Sequence, residues 1–225
     1  MEPIAELIDI GKRYKDRNDS LKVLDGVSLA VNKYDFIAIT GPSGSGKSTL
    51  MNIMGCLDIP DSGKYSICGK DTAKMTGKEL SGYRKNCIGF VFQSFLLLPR
   101  YTAKENVELP MRYKGLSKKE RSERAENLLE TMGLKDRMHH YPNELSGGQC
   151  QRTAIARALA NEPKLILADE PTGNLDPYSG GEIMDIFLKL NEKGTSIVLI
   201  THDMNIAKKS KTSYLIENGR LVKGD

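Results

Sequence analysis

The stretch that decides the fold is Ile37-Ala38-Ile39-Thr40-Gly41-Pro42-Ser43-Gly44-Ser45-Gly46-Lys47-Ser48-Thr49. Its first three residues predict a buried strand, and the glycines that follow let successive backbone N–H groups point inward at an anion. The apolar residues after Thr49 predict a helix whose positive dipole end faces the same point. Because every fixed position of G-x-x-x-x-G-K-[ST] is filled, the stretch indicates a phosphate-binding P-loop rather than a Gly/Ser turn before a helix.

The side chains of this loop have distinct predicted tasks. Lys47 should reach the β- and γ-phosphates of a nucleoside triphosphate as a point charge. The Ser48 hydroxyl is placed to ligate Mg²⁺, which prefers hard oxygen ligands. The other predicted nucleotide-binding positions of the loop are Gly41, Pro42, Ser43, Gly44, Ser45, Gly46 and Thr49.

A second anion site is indicated by Leu145-Ser146-Gly147-Gly148-Gln149. Ser146 can cap the helix that follows, and the two glycines leave the positive end of that helix open to an anion. Taken alone, the pentapeptide could equally be an ordinary helix cap. Since one P-loop already encloses one triphosphate, the natural use of the second site is the nucleotide of another copy of the chain.

The pentapeptide resembles the signature motif of ATP-binding-cassette (ABC) ATPases, and further motifs match that family in order and spacing along the whole chain. Tyr14 resembles the aromatic residue that stacks on adenine, and Gln93 in Val91-Phe92-Gln93 resembles the glutamine of the Q-loop. Asp169 and Glu170, which follow Leu165-Ile166-Leu167-Ala168, resemble the acidic pair of the Walker B motif. Asp176 in Asn174-Leu175-Asp176 resembles the D-loop, and His202 in Ile200-Thr201-His202-Asp203 resembles the switch histidine. The resemblance implies that the chain binds ATP with Mg²⁺. It also implies that the nucleotide contacts Asp176, Ser146, Gly147, Gly148 and Gln149.

The two acidic residues also have physical reasons for their places. Asp169 ends an apolar strand beside the P-loop, where its carboxylate can hold Mg²⁺ directly or through water. A cap at the strand end is the alternative role. Glu170, one residue later, is turned away from the metal toward the place of an attacking water, which suits a general base.

Three other side chains complete the predicted site. Gln93 offers a neutral amide that can touch both metal and water, unless it is simply a surface residue. His202 follows the apolar strand Ser196–Ile200 and could donate a hydrogen bond to the γ-phosphate. Tyr14, placed before the first sheet, is expected either to stack on the base or to be a solvated aromatic. The predicted catalytic residues are therefore Glu170, His202, Lys47 and Gln93, with Ser48, Gln93 and Asp169 around the metal.

Composition narrows the class of protein. The chain has 225 residues and a formal net charge of only +4. Its densest basic cluster, at Lys208, Lys209 and Lys211, is short, which favours a solvated face over a nucleic-acid-binding stripe. No apolar run approaches the ~18–20 residues of a membrane helix, so direct membrane insertion is not expected. The four cysteines, Cys56, Cys68, Cys87 and Cys150, do not have the spacing of metal ligands, and no signal peptide is recognisable. We therefore expect their thiols to be reduced and cytosolic.

The pattern of short apolar runs predicts an α/β fold of the P-loop NTPase (RecA-like) type in a single domain over residues 1–225. Strands are expected within residues 4–10, 27–39 and 65–67, with a small antiparallel sheet there, and at residues 36–39, 89–92, 165–168 and 196–200 in a mostly parallel sheet. Successive helices are expected over residues 104–113 and 117–132 and around Tyr141-Pro142. We therefore expect a helical lobe over residues 98–160 and a nucleotide-binding core over residues 1–97 and 161–225.

The kind of membrane protein that this ATPase would drive is inferred from a resemblance to one subgroup of ABC ATPases. Asn52-Ile53-Met54-Gly55-Cys56-Leu57-Asp58 and Glu105-Asn106-Val107-Glu108-Leu109-Pro110 look like the subgroup of macrolide-efflux, lipoprotein-release and antimicrobial-peptide-resistance ATPases. Cys150 departs from that subgroup, which usually has Gln or Lys after the signature. The apolar run Ser94-Phe95-Leu96-Leu97-Leu98-Pro99 could line a groove for a partner helix, although lobe packing explains much of it.

These observations lead to one interpretation and three alternatives. The chain is interpreted as a homodimeric ATPase that binds two Mg-ATP head to tail and drives an integral membrane permease, of exporter or mechanotransmission type, from the cytoplasmic face of the cell membrane. A cell-division-type ABC ATPase, acting through a membrane partner without cargo, differs only in that partner. An ABC ATPase of DNA repair or translation would need a coiled-coil insertion or tandem cassettes. A P-loop kinase would leave the signature motif without a reason.

Overall fold

The structure is a computed structural model that describes residues 2–16 and 19–224, without the side chains of residues 15, 16, 19 and 20. The described part contains two sheets and seven α-helices. The strands are β1 (Ala5–Asp16), β2 (Asp19–Val31), β3 (Phe36–Thr40), β4 (Ser62–Ile67), β5 (Lys70–Asp71), β6 (Ile88–Phe92), β7 (Leu165–Asp169), β8 (Ser196–Ile200), β9 (Thr212–Glu217) and β10 (Arg220–Lys223). The helices are α1 (Lys47–Met54), α2 (Gly77–Cys87), α3 (Ala103–Lys114), α4 (Lys118–Thr131), α5 (Gly147–Leu159), α6 (Pro177–Glu192) and α7 (Met204–Ala207).

The larger sheet has six strands in the order β10-β9-β3-β8-β7-β6, and all neighbours are parallel except β9 and β10. Side chains of a strand alternate between its two faces, and here each face has its own core. Ile37 and Ile39 pack with α1 and the smaller sheet, whereas Phe36 packs with residues of α3 to α6. The predicted, mostly parallel α/β sheet is confirmed, and its burial on both faces explains the continuous apolar runs.

The smaller sheet is antiparallel, with the order β2-β1-β4-β5. Tyr14 lies within β1 and pairs with Leu21 of β2, so the placement of this residue before the first sheet is wrong. Residues 27–39, where strands are expected, contain the end of β2 and most of β3, which belong to different sheets. β2 ends at Val31 and β3 begins at Phe36, because the Asp35 carboxylate accepts the Asn32 N–H at 2.7 Å and closes a turn between them.

Helices α3, α4 and α5 connect β6 to β7. Thr102, Ser117 and Ser146 cap their starts, each in a reciprocal pair with the side chain three residues later, and such caps hold N–H groups that have no partner within the helix. The expected helix around Tyr141-Pro142 is only a 3₁₀ turn, Pro142–Glu144. The extent of the helical lobe, residues 98–160, stays a prediction.

No helix in the described ranges combines the length and the apolar character that a bilayer crossing requires.

Candidate functional site

The carboxyl edge of the parallel sheet carries the cavity that we assign as the nucleotide site. Gly41 follows β3, Gln93 follows β6, Asp169 ends β7 and His202 follows β8. Loops at the carboxyl ends of parallel strands converge at one edge, where α/β proteins bind their ligands. The cavity has a volume of about 520 Å³ and is lined by Tyr14, Val23, Ser43, Gly44, Gly46, Lys47, Ser48, Thr49, Gln93, Asp169, Glu170 and His202.

The P-loop backbone has the conformation that only glycine adopts easily. Gly44 and Gly46 have φ of 76° and 106°, in the left-handed region that disfavours a Cβ. At Gly46 a Cβ would also lie 2.8 Å from the Val23 carbonyl oxygen. The Ser45 hydroxyl is buried without a hydrogen-bond partner among the described residues, so a polar ligand of the loop would offer it one.

Lys47 is the first residue of helix α1 and directly follows the glycine-rich loop. Its Nζ donates hydrogen bonds of 2.7 Å to the carbonyl oxygens of Gly41 and Pro42. These two contacts hold the ammonium group against the backbone of the glycine-rich loop; its role in binding phosphate stays a prediction. Ser48, the next residue, lines the same cavity.

The setting of Asp169 disfavours the charged form of its carboxyl group. Burial, followed by repulsion from Glu170, raises the pKa of its carboxyl group, while Lys47 acts in the opposite sense. A buried carboxylate that faces both a cation and an anion is typical of a site that receives a further positive charge. The hydroxyl of Ser48, the amide of Gln93 and the carboxylate of Asp169 line one cavity and offer the hard oxygen ligands that suit Mg²⁺.

Glu170 is held at a turn directly after β7. Its φ of 44° lies in the left-handed region, and its N–H donates to the Ile200 carbonyl oxygen at 2.9 Å, which extends the pairing of β7 with β8. Its side chain is 15% exposed, and one carboxylate oxygen lies 2.8 Å from Nδ1 of His202. The predicted base and the predicted switch histidine are therefore partners in this structure.

Gln93 contacts the segment that follows Glu170. Its Nε2 donates to Oδ1 of Asn174 at 3.1 Å, and Nδ2 of Asn174 donates back to the Gln93 carbonyl oxygen at 3.1 Å. Gly173 permits this approach, because a Cβ there would lie 2.7 Å from the Gln93 amide nitrogen. The Q-loop and the D-loop are thus joined by a reciprocal pair of hydrogen bonds.

Tyr14 is fixed by residues that sequence reasoning did not include in the site. Its hydroxyl donates to Asp58 Oδ2 at 2.8 Å, and Lys12 donates to Asp58 Oδ1 at 2.7 Å. The Lys12 ammonium also lies 5.3 Å from the centre of the Tyr14 ring. No local pattern could reveal these contacts, because 44 residues separate Tyr14 from Asp58.

Several predicted nucleotide-binding residues do not line this cavity. Gly41, Pro42 and Ser45 belong to the P-loop but are not among the cavity's lining residues. Ser146 caps α5, with Oγ accepting from the Gln149 N–H at 3.3 Å, and the adjacent Gly147 is exposed. Asp176 caps α6 and accepts from the N–H groups of Tyr178 and Ser179. The signature and D-loop residues that are predicted to contact nucleotide are Ser146, Gly147, Gly148, Gln149 and Asp176. None of them is among the residues that line the cavity.

A second cavity, of about 330 Å³, lies at the edge strand β6. Arg157 of α5 reaches it and donates to the carbonyl oxygens of Leu96 and Phe95 at 2.5 and 2.8 Å. Leu96 and Phe95 both have positive φ, 48° and 61°, so the arginine holds a strained loop directly after Gln93. The cavity is lined by Lys85, Ile88, Gly89, Phe90, Phe92, Leu96, Pro110, Arg157, Ala158 and Asn161.

Comparison with known proteins assigns the family. The family described as ABC transporter matches residues 24–173. An uncharacterized ABC transporter ATP-binding protein of Bacillus subtilis, YknY, is 54% identical over 219 residues, which cover 97% of this chain and 95% of YknY. The macrolide export ATP-binding/permease protein MacB of Shigella sonnei is 46% identical over 223 residues, 99% of this chain, but the match spans only 34% of MacB.

Solved structures agree with this assignment. The ATP-binding cassette MJ0796, solved as a dimer in a post-hydrolysis state bound to ADP and Pi, superposes with a TM-score of 0.89 at 44% identity, covering 97% of this chain and 98% of that one. The similarity to MacB also fits the subgroup suggested by the sequence. The chain belongs to the ABC transporter family as an ATP-binding subunit that hydrolyses ATP.

Proposed function

We propose that two copies of this chain bind two Mg-ATP head to tail, each nucleotide lying between one P-loop and the other copy's Ser146–Gly148. The proposal rests on one observation: the exposed start of α5 is not among the residues that line the cavity with Lys47. A capped helix start with an exposed glycine can bind an anion, and a second copy supplies one. Two-fold symmetry then makes both sites equivalent.

Hydrolysis at each site would be an in-line attack of water on the γ-phosphate. Lys47 binds the phosphates, and Glu170 accepts a proton from the water while His202 holds its carboxylate in place. Gln93, tied to Asn174, orients the same water from the Q-loop side. Ser48, Gln93 and Asp169 would hold Mg²⁺, which would offset the negative charge of the phosphates when bound.

The work of hydrolysis would pass to an integral membrane permease of exporter or mechanotransmission type, with the ATPase bound at the cytoplasmic face of the cell membrane. The β6 cavity supports this, because apolar side chains line it and Leu96, at its rim, is 54% exposed. A partner helix could pack there. Arg157 would connect that helix both to the loop after Gln93 and to the signature helix α5. The printed name of MacB joins ATP-binding and permease functions, which favours a permease as the partner.

A complementation experiment tests the shared sites. Lys47→Ala should abolish nucleotide binding in its own P-loop, because among the side chains that the structure describes Lys47 is the one lysine that lines the cavity. Ser146→Arg should block only the partner's nucleotide. Each variant alone should lack ATPase activity. A mixture of the two should regain activity, since a heterodimer has one intact P-loop facing one intact signature.

The matched control is Gly82→Arg, which adds the same charge on α2 at a position where a Cβ meets nothing within 4 Å; it should stay active alone. If the mixture of Lys47→Ala and Ser146→Arg stays inactive while Ser146→Arg loses ATP affinity as a monomer, each site is built within one chain and the head-to-tail proposal is wrong.

A further inference from the structure

The signature helix α5 packs against the segment that follows Glu170. At the start of α5, a Cβ on Gly148 would lie 3.2 Å from Oγ of Ser179, the third residue of α6. The two helices therefore approach closely at this point. Gln151, three residues later on α5, extends the contact to the residue that directly follows Glu170.

Gln151 is a polar residue with no access to solvent. It is 0% exposed, and its Nε2 donates a hydrogen bond of 2.5 Å to the carbonyl oxygen of Pro171, 20 residues further along the chain. Pro171 is buried as well. The hydrogen bond therefore joins the signature helix to the turn that carries the proposed general base, Glu170.

The oxygen of the Gln151 amide shows that packing alone does not explain this residue. Oε1 is buried and has no hydrogen-bond partner in the part of the chain that the structure describes. An unpaired buried acceptor costs free energy. An apolar side chain of similar length would fill the same space without an unpaired oxygen of its own. The hydrogen bond to Pro171 is what the glutamine adds.

The turn at Glu170 has a backbone conformation that needs support from its surroundings. Glu170 has a φ of 44°, in the left-handed region that residues with a side chain rarely adopt. Its carbonyl oxygen accepts the Gly173 N–H at 3.0 Å. This bond closes a four-residue turn with Pro171 at the second position, where proline is favoured. The bond lies within the turn, so it does not fix the turn to the rest of the fold.

Two hydrogen bonds attach this turn to other elements. The carbonyl oxygen of Ile200, at the end of β8, accepts the Glu170 N–H at 2.9 Å, and Gln151 of α5 holds the Pro171 carbonyl oxygen. Relaxation of Glu170 toward an ordinary φ would rotate the peptide that follows it and would move that carbonyl oxygen away from Gln151. The Gln151 hydrogen bond therefore opposes this relaxation and keeps Glu170 at the nucleotide cavity, which it lines.

Helix α5 is a firm support for such a contact. Ile155 and Ala156 are fully buried in the core beneath the parallel sheet. Arg152, next to Gln151, places its guanidinium 3.0 Å from the Glu182 carboxylate of α6. Because a positioning group is effective only when its own support is rigid, the anchored helix suits this task.

We propose that Gln151 is a positioning residue for ATP hydrolysis. Its hydrogen bond to Pro171 keeps the Glu170 carboxylate where it can accept a proton from the attacking water. This inference rests on the proposed role of Glu170 as the base. Gln151 is not among the residues that line the nucleotide cavity, so it acts through Glu170 rather than by contact with ATP. Loss of its N–H donor should lower the rate of hydrolysis and leave ATP binding unchanged.

Gln151→Met in the full chain tests the proposal, because methionine has a similar length and helix propensity but no N–H donor. Single-turnover hydrolysis should slow by roughly 10–10²-fold, as a small misplacement of a catalytic group does. The affinity for a fluorescent ATP analogue should stay within about twofold of the parent.

Thr153→Val is the matched control. Thr153 lies on the same helix and is also 0% exposed, and its hydroxyl donates to the Gln149 carbonyl oxygen within that helix. The substitution therefore removes a buried hydrogen bond without touching the Glu170 turn. Its rate of hydrolysis should stay within about twofold of the parent.

A double variant separates positioning from a general loss of structure. If Gln151 acts only through the Glu170 carboxylate, adding Gln151→Met to Glu170→Gln should change the residual rate by less than about twofold. A merely structural role would lower that residual rate by the same factor as in the parent. Gln151→Leu removes the same donor with a branched side chain and is measured in parallel, so that the packing of one side chain does not decide the result.

Three outcomes would overturn the role of Gln151. They are a parent-like rate in Gln151→Met or Gln151→Leu, loss of ATP affinity in both variants, and a full additional loss in the double variant. An unchanged rate in Glu170→Gln alone would instead contradict the role of Glu170 as the base. The two failures are therefore distinguishable.

Discussion

His202 Nδ1 lies 2.8 Å from a carboxylate oxygen of Glu170, and the two side chains follow the adjacent strands β7 and β8. The histidine ring is 72% exposed, whereas the carboxylate is 15% exposed. A solvent-exposed ring therefore holds the more buried carboxylate in place. This contact makes the position of Glu170 dependent on a residue that a bound γ-phosphate could also attract.

Replacing Glu170 by Gln should separate binding from hydrolysis. The amide keeps the size of the side chain but cannot accept the proton of water, so the ATPase rate should fall by roughly 10²–10⁴-fold. ATP affinity should stay within about twofold of the parent, since loss of a general base leaves ground-state binding in place. Single-turnover hydrolysis and a fluorescent ATP titration measure the two quantities. Size-exclusion chromatography with ATP should show an accumulated dimer, and an unchanged rate would contradict the assignment of Glu170 as base.

Substitutions at Tyr14 should show whether its ring stacks on the base. Tyr14→Ala should weaken ATP and GTP together by about 5–150-fold, because base stacking contributes about 1–3 kcal/mol and depends little on the base edge. Tyr14→Phe keeps the ring and loses only the hydrogen bond to Asp58, so its effect should be smaller.

Asp58→Asn supplies the control for this contact. If Asp58 acts only through the hydroxyl of Tyr14, the double variant Tyr14→Phe, Asp58→Asn should bind ATP with the same affinity as Tyr14→Phe alone. Equal affinity of the parent and Tyr14→Ala for both nucleotides would place Tyr14 among ordinary surface aromatics.

Asp169→Asn should stabilise the nucleotide-free protein while it abolishes metal-dependent hydrolysis. Burial raises the pKa of Asp169 above its ordinary value of 3.8, so the ionised carboxylate opposes folding at neutral pH. Removing this charge should therefore raise the melting temperature, which differential scanning calorimetry of the nucleotide-free protein measures. Glu170→Gln is the matched control for loss of the neighbouring charge.

The stabilisation by Asp169→Asn should depend on pH in a defined direction. An acid with a raised pKa binds its proton more tightly in the folded state, so the penalty is fully present above the folded-state pKa and disappears as the pH falls to the ordinary value of 3.8. The melting temperatures of the parent and the variant should therefore converge on acidification. A difference that grows at low pH would show that the carboxylate is stabilising.

Leu96→Glu should prevent binding of the proposed permease helix to the β6 cavity. A charge buried against Phe90 and Phe92 is costly, so the variant should fail to copurify with a coexpressed permease. Its ATP affinity should be unchanged, since Leu96 lies outside the nucleotide cavity. Leu57→Glu is the matched control, because Leu57 is 53% exposed against 54% for Leu96 and is not among the residues that line the β6 cavity. If both variants retain the permease equally well, the permease helix does not bind at the β6 cavity.

Local sequence predicted the elements that depend on covalent neighbours. The strand, loop and helix around Lys47, the strand before Asp169 and the cap at Ser146 all lie within a few residues of the pattern that specifies them. Strand alternation and helix capping act over that range. The helix bounds of α3 and α4 were therefore within one residue of expectation, 103–114 and 118–131 against 104–113 and 117–132.

The sequence by itself determined the chemistry: a phosphate loop, two acids at a strand end and a capped anion site, each encoded by contiguous residues. Only the tertiary structure decided which of these groups meet. The contacts between Tyr14 and Asp58, between Gln93 and Asn174, and between Arg157 and the loop after Gln93 span 44, 81 and about 61 residues. Such contacts exist because sheet pairing joins β1 to β4 in one sheet and β6 to β7 in the other, and no local periodicity encodes which distant strands become neighbours.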